Sequence, residues 1–228
     1  MKSTLDTVTD LVAQFRIPHT EHGGPVEIPS LPEVGSAVDV VCATDVERTD
    51  VLGTFVARRS KLNFAPHALP RDDVLDDVIQ GLLFDCSLRG ALATQVPLEA
   101  FVFLKREGSD ASAVYSVRAG GARSLQMTLT PQEMEDLGVQ REFGRASAII
   151  TIAGDLDQAE MAQGGSGYPM LIVRAASAAY EMCLSAVSRG WICTVYAGLI
   201  PASVRGRLGS DGSSRHQLFA LAIGTERR

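Results

Sequence analysis

Apolar positions along the chain alternate between helical spacing and short runs that predict buried strands. The most apolar stretch, residues 168–189, carries little polar surface on any side, which predicts a helix buried in a core or a subunit interface. Gly190 follows it directly and predicts a helix C-cap. Residues 192–196 and 218–223 then predict two buried strands, and Ala197-Gly198 predicts a tight backbone turn after the first of them.

The first two thirds of the chain show the same alternation. Helical spacing predicts one helix over residues 51–58 and a second after Pro70, with its apolar residues on one face. The second helix begins with Asp72, Asp73, Asp76 and Asp77, which predict a solvated face at the positive end of the helix dipole.

Short runs of β-forming residues predict three further strands, at 100–104, 114–117 and 148–152. Between them, Thr130 and Glu133 predict a capping box at a helix start. Strands alternating with helical patterns favour an α+β or α/β sheet packed against helices.

The N-terminal fifth differs in composition. Prolines and glycines interrupt residues 17–50, so residues 1–50 predict an extended arm over the surface or a neighbouring subunit. Residues 51–228 then form the folded domain. No continuous apolar run marks the N-terminus, which predicts no signal peptide, no membrane span and a cytoplasmic location.

Composition and charge limit the classes of molecule that this protein is expected to bind. The 228 residues are 46% hydrophobic and 21% charged, as in ordinary globular proteins. The net charge of -6 disfavours nucleic acid, which is bound through clustered Lys and Arg.

No metal site is expected. The four cysteines have no ligand spacing and predict buried thiols. His19 and His22 lie in a predicted loop without a third ligand. The glycine-rich run 164–167 lacks the lysine of a phosphate loop, and it predicts a mobile loop over a site.

One basic run could bind an anion. Arg58, Arg59, Ser60 and Lys61 end a predicted helix, and their guanidinium and hydroxyl groups can hold a phosphate through charge-assisted hydrogen bonds. A solvated basic patch is the alternative reading of this run alone.

This run and the helix after it resemble the opening of the nitroreductase-like flavoproteins, and the C-terminal quarter is similar too. The resemblance implies an α+β fold with a central, mostly antiparallel sheet flanked by helices. It also implies FMN as cofactor, with its phosphate on Arg58, Arg59 and Ser60 and its ring facing Ala197 and Gly198. The alanine-rich helix would build a dimer core, and Arg227 after the last strand would reach the phosphate, unless that tail is frayed and solvated.

Within that superfamily, residues 90–92, 97–102, 114–117 and 123–125 are similar to the azoline dehydrogenases, which form thiazoles and oxazoles in modified peptides. Leu62 stands where the family has a second basic ligand, and Leu88 stands where it has a serine beside the flavin. The Lys-Tyr pair of the azoline dehydrogenases has no counterpart. Tyr168 is therefore the candidate proton-abstracting residue, with a structural tyrosine as the alternative.

The sequence thus predicts an FMN-dependent oxidoreductase that dehydrogenates an azoline or similar group in a peptide-derived product, as a homodimer or with a biosynthetic partner subunit. Two alternatives stay open. Leu62, Leu88 and the missing pair favour a flavin-less scaffold or partner subunit, and the fold also suits an NAD(P)H-dependent nitro or quinone reductase.

Overall fold

A computed structural model of the chain describes residues 35–41, 49–208, 210 and 212–227. Most of the predicted arm over residues 1–50 lies outside these ranges, as do His19, His22 and Cys42. The division at residue 50 therefore stays a prediction.

Within the described residues the chain forms seven strands and seven α-helices. The strands are β1 (Ser36–Val38), β2 (Glu99–Lys105), β3 (Ser112–Arg118), β4 (Gly121–Leu129), β5 (Ala148–Gly154), β6 (Ile192–Tyr196) and β7 (His216–Gly224). The helices are α1 (Val51–Ala57), α2 (Arg71–Arg89), α3 (Ala91–Gln95), α4 (Pro131–Glu135), α5 (Leu156–Gln163), α6 (Gly167–Ser188) and α7 (Pro201–Leu208). Two short 3-10 helices add Arg141–Arg145 and Gly164–Ser166.

The strands form one sheet in the order β1-β4-β3-β2-β5-β7-β6, and every neighbouring pair is antiparallel. The predicted α+β class with a mostly antiparallel sheet is confirmed. β5 is buried along its whole length because both faces of the sheet are covered. The larger core lies between one face and helices α2 and α6, and two smaller clusters cover the other face.

Helix α6 lies at the centre of the larger core and matches the predicted alanine-rich helix. It ends as predicted, because Gly190 adopts φ 80° and its N–H bonds the carbonyl of Val187. The N–H of Trp191 reaches back to Ala186, which completes a Schellman motif. The capping box of Thr130 and Glu133 is also confirmed at the start of α4.

The aspartates at the start of α2 do not form the solvated face that the sequence predicts. Asp76 and Asp77 are buried, and Asp73 contacts the same partner, the guanidinium of Arg189 at the end of α6. The Arg189 Nε lies 2.9 Å from the Asp77 Oδ1. The prediction was wrong because an aspartate at a helix start is stabilised equally well by an arginine distant in sequence.

The glycine-rich run was also misjudged as a loop. Gly164–Ser166 forms a 3-10 helix, and Gly167 begins α6. Gly167 is buried where α5 and α6 meet, and a Cβ there would lie 2.3 Å from the carbonyl oxygen of Ala159. A glycine is therefore needed at this position, because any side chain would prevent the close approach of α5 and α6.

The helical stretch Leu156–Ser188 is long and apolar enough to cross a membrane by those two criteria alone. Half of its most apolar window is buried inside the fold. A core helix of a folded domain meets the same two criteria.

A second buried ion pair joins α2 to α6. The Arg174 guanidinium is 1% exposed and donates to both oxygens of Asp85, from Nε at 3.1 Å and from Nη2 at 2.7 Å. Removing one partner of such a pair leaves a buried charge without compensation.

We therefore expect Asp85→Asn to lower the free energy of unfolding by about 3 to 5 kcal/mol, measured by urea denaturation. The double variant Asp85→Leu/Arg174→Met should recover most of the loss because it removes both charges. Asp110→Asn, at an exposed hairpin position, is the control and should change stability by less than about 0.5 kcal/mol. A loss in Asp85→Asn no larger than in this control would contradict the assignment.

Candidate functional site

The candidate site lies along the free edge of β6, which pairs only with β7 in the sheet. The chain segment after α1 runs beside this edge and is held by one side chain. The Thr194 hydroxyl accepts a hydrogen bond from the Lys61 N–H at 2.9 Å and donates one to the Lys61 carbonyl at 2.7 Å. The Thr194 side chain thus holds the backbone of Lys61 beside β6.

The C-terminal tail is bound to the same segment through Asn63 and Lys61. The Arg227 N–H donates to the Asn63 carbonyl at 2.9 Å, and the Asn63 side-chain amide donates to the Arg227 carbonyl at 2.6 Å. Lys61 Nζ lies 2.6 Å from Glu226 Oε2. These contacts bring Arg227 beside the basic run although 164 residues separate Asn63 from Arg227.

Arg58 lies where α1, α6 and β6 meet. Its backbone caps α1, and its charge acts on the buried thiols of Cys183 in α6 and Cys193 in β6. A hydrogen bond with Cys193 lowers the pKa of Cys183, and the nearby Arg58 guanidinium lowers it further. Burial raises the pKa of Cys193 well above its usual range.

The Arg59 side chain is already hydrogen-bonded within the protein, whereas the Ser60 side chain can reach a ligand. The Arg59 guanidinium donates to the carbonyls of Val56 and Arg58 at 2.9 and 2.8 Å, so it caps the C-terminal end of α1. Ser60 is exposed. Arg58, Ser60 and Arg227 therefore form the part of the predicted phosphate set that remains available.

Ala197 and Gly198 continue the line of β6 and do not form the predicted tight turn. The Gly198 carbonyl accepts from the Val139 N–H at 2.8 Å, and Leu199 bridges to Gly138, so the chain stays extended and pairs with residues 137–139. Ala197 follows Thr194 by three residues, which places it about 10 Å further along the edge.

Tyr196, the last residue of β6, comes directly before Ala197 and Gly198. Its ring stacks on Phe143 with centroids 3.9 Å apart, and burial raises the pKa of its hydroxyl far above neutrality. Tyr196 therefore stays protonated and contributes through its packing on Phe143.

Tyr168 lies at the opposite end of α6. Its half-exposed ring meets His216 edge-on at 5.9 Å. Fifteen residues of helix separate it from Cys183, the neighbour of Arg58, which corresponds to about 22 Å. Within one chain, Tyr168 and the basic run do not share a site, and the role of Tyr168 as a base stays a prediction.

Sequence reasoning missed Thr194 and Asn63. No local pattern marks either residue, because their partners lie 133 and 164 positions away. In the described part of the chain, no cluster of three His, Cys, Asp or Glu side chains could hold a metal ion.

Comparison with solved structures identifies the fold. A protein named as a nitroreductase from Anabaena variabilis aligns with 84% of this chain and 41% of its own, with a TM-score of 0.64 and 21% identity. One from Ralstonia eutropha aligns over 90% of this chain and 97% of its own, with a TM-score of 0.64 and 13% identity. One from Exiguobacterium sibiricum, solved in complex with FMN, aligns over 79% and 90%, with a TM-score of 0.55 and 13% identity.

These matches confirm the predicted nitroreductase-like fold. This chain spans less than half of the Anabaena protein and nearly all of the Ralstonia protein. No family model and no curated protein sequence matches it. At these identities the likeness establishes the fold alone.

We expect Thr194→Val to release the segment around Lys61, because it removes both hydrogen bonds and leaves the Lys61 N–H and carbonyl unpaired. The Lys61 amide should exchange its hydrogen faster, and unfolding should become easier by about 1 to 3 kcal/mol. Thr128→Val, an exposed threonine of β4, is the matched control and should leave both measurements unchanged. Unaltered exchange at Lys61 in Thr194→Val would count against the role of the hydroxyl.

Proposed function

We propose that this protein is a flavin oxidoreductase that binds FMN along the free edge of β6. The observation that carries the proposal is that the hydrogen bonds of Asn63 bring the Arg227 backbone beside the basic run that contains Arg58 and Ser60. The Ala197-Gly198 backbone follows Thr194 by about 10 Å along the line of β6. A phosphate monoester carries about 1.5 to 2 negative charges at neutral pH, which two free guanidinium groups can match. The Exiguobacterium protein, which has the same fold, was solved with FMN, and this supports the choice of cofactor.

Each group of residues at the edge of β6 has a distinct role in FMN binding. Arg58, Ser60 and Arg227 hold the phosphate, while Thr194 and Asn63 keep the two chain segments in place. The backbone at Ala197-Gly198 lies along the ring. FMN, when bound, supplies the hydride acceptor of the reaction.

The proposed reaction is dehydrogenation of an azoline or similar group in a peptide-derived product, and it rests on the resemblance of residues 90–125 to the azoline dehydrogenases. A second candidate is an NAD(P)H-dependent nitro or quinone reductase, which the names of the structural neighbours favour. Turnover of azoline peptides, compared with turnover of quinones and nitroaromatics in the presence of NAD(P)H, separates the two.

We further propose that the protein works as a homodimer with α6 helices antiparallel across a two-fold axis. The support for this arrangement is an exposed apolar face formed by α1 and α6, because α1 packs beside the C-terminal end of α6. Its exposed residues are Val51, Leu52, Phe55, Val56, Val173 and Tyr180. Such a dimer would bring Tyr168 of the partner subunit toward the Arg58 end, so that each site would draw on both chains.

For cofactor binding we expect Arg58→Ala to weaken FMN affinity by about ten- to a hundredfold, since hydrogen bonds to charged groups contribute about 1.5 to 3 kcal/mol. Riboflavin, which lacks the phosphate, should bind the variant and the unaltered protein equally. Titration calorimetry measures both. Arg141→Ala, an exposed arginine of the 3-10 helix, is the matched control.

Two results would separate the possible failures. Absence of FMN binding to the unaltered protein would end the flavin proposal and favour the scaffold alternative. Equal FMN binding by Arg58→Ala would keep the flavin and remove Arg58 from its site.

For the dimer we expect Phe55→Glu to give monomers in analytical ultracentrifugation, because it places a charge in the centre of the apolar face. Val139→Glu is the control, since Val139 is 71% exposed and lies on the segment that pairs with Gly198, outside the proposed apolar face. A monomeric unaltered protein, or a dimer that survives Phe55→Glu and not Val139→Glu, would contradict this arrangement.

A further inference from the structure

A buried carboxylate stands at the first residue of β2. Glu99 is only 6% exposed, and each of its oxygens has a close partner. Oε1 accepts from the Ser116 hydroxyl at 2.7 Å, and Oε2 accepts from Arg215 Nε at 2.8 Å. Arg215 is itself buried and forms an ion pair with Glu99.

A second arginine approaches the same carboxylate without bonding to it. Arg118, the last residue of β3, has its Nη2 3.5 Å from Glu99 Oε1, which is an ion pair at a distance too long for a good hydrogen bond. Its side chain is 32% exposed. Among the described residues, no hydrogen bond is made by any of its five guanidinium donors.

Arg118 borders two cavities, one on each side of Glu99. The first has a volume of about 180 Å³ and is also lined by Thr94, Gln95 and Gln158. The second, of about 320 Å³, lies toward β1 and β4. Arg118 is thus a cation with unused donors beside two partly open cavities, at the end of β2, β3 and β5.

We propose that Arg118 anchors a binding site for a small monocarboxylate, separate from the flavin site. The planar guanidinium fork matches the two oxygens of a carboxylate, and the neighbouring amide and hydroxyl groups offer further donors. Glu99 and Asp155 balance the charges of Arg118 and Arg215 around this cavity, so the attraction for a carboxylate comes from the unused hydrogen-bond donors of Arg118.

Size and charge set the class of ligand. A volume of 180 Å³ corresponds to about six water molecules, which admits a short-chain carboxylate and excludes a nucleotide. Asp155, which caps α5, also lines this cavity and disfavours a ligand with a second negative charge.

The test is a titration of the full chain with acetate and, separately, with acetamide, its neutral isostere, followed by backbone and arginine side-chain NMR. We expect saturable shifts at the residues lining the first cavity with acetate. Acetamide and the variant Arg118→Met should each bind about tenfold more weakly or worse. Arg141→Met, an exposed arginine elsewhere, should behave as the unaltered protein.

Several outcomes would overturn the proposal. Equal shifts with acetamide would show that the charge has no role, and unchanged acetate binding by Arg118→Met would remove Arg118. Shifts that map to the Arg58 edge and vanish in Arg58→Ala would assign the anion to the phosphate site instead. The spectrum of each variant without ligand reports whether it is folded, and Arg118→Lys, which keeps the charge, should retain part of the affinity.

Discussion

The contact between α2 and α6 is the constraint on which the rest of this structure depends. The two helices run side by side over the sheet and approach so closely at Gly81 that a Cβ there would lie 2.5 Å from the Met182 side chain. Buried charges hold both ends of the contact, Asp85 with Arg174 at one and Asp77 with Arg189 at the other. Because these pairs are buried and directional, they tolerate little sliding of one helix along the other.

The position of α6 determines the position of the candidate site. Its C-terminal end passes through the Schellman motif at Gly190 into β6. Its Cys183 thiol forms a hydrogen bond with Cys193 of β6 and lies within the field of the Arg58 charge. Thr194 of β6 binds the basic run through the backbone of Lys61, and Asn63 binds the C-terminal tail. A cavity for FMN in this chain would therefore be built on an edge strand, where the backbone is open on one side.

The two ends of α6 have different chemistry. Arg58 lies by the C-terminal end and Tyr168 at the N-terminal end, with about 22 Å of helix between them. A site that uses both groups needs a second chain, and the exposed apolar residues of α1 and α6 offer a face for one. The Arg118 cavities lie at the sheet end from which β2 and β7 begin, beside other elements, so a ligand there would not compete with the phosphate.

Much of the fold could be predicted from the sequence because its signals are local. The alanine-rich helix, its glycine cap, the Thr130 capping box and the strands at 100–104 and 148–152 each depend on residues within one or two turns or one strand of each other. The strand β1 was missed because it has only three residues, and β4 was missed because its apolar residues do not alternate regularly with polar ones along its whole length. The Asp-rich start of α2 was misread because an exposed and an ion-paired aspartate have the same local pattern.

The sequence by itself determined the kind of elements, the α+β class and the residue types able to bind a phosphate, since these follow from periodicity, capping and side-chain chemistry. Only the tertiary structure decided which of those residues meet. It brought Arg227 to the basic run through Asn63, and it joined Lys61 to Thr194 at the edge of β6. The physical reason is that hydrogen bonds and ion pairs between residues more than a hundred positions apart depend on how helices and strands pack, and no local pattern records that packing.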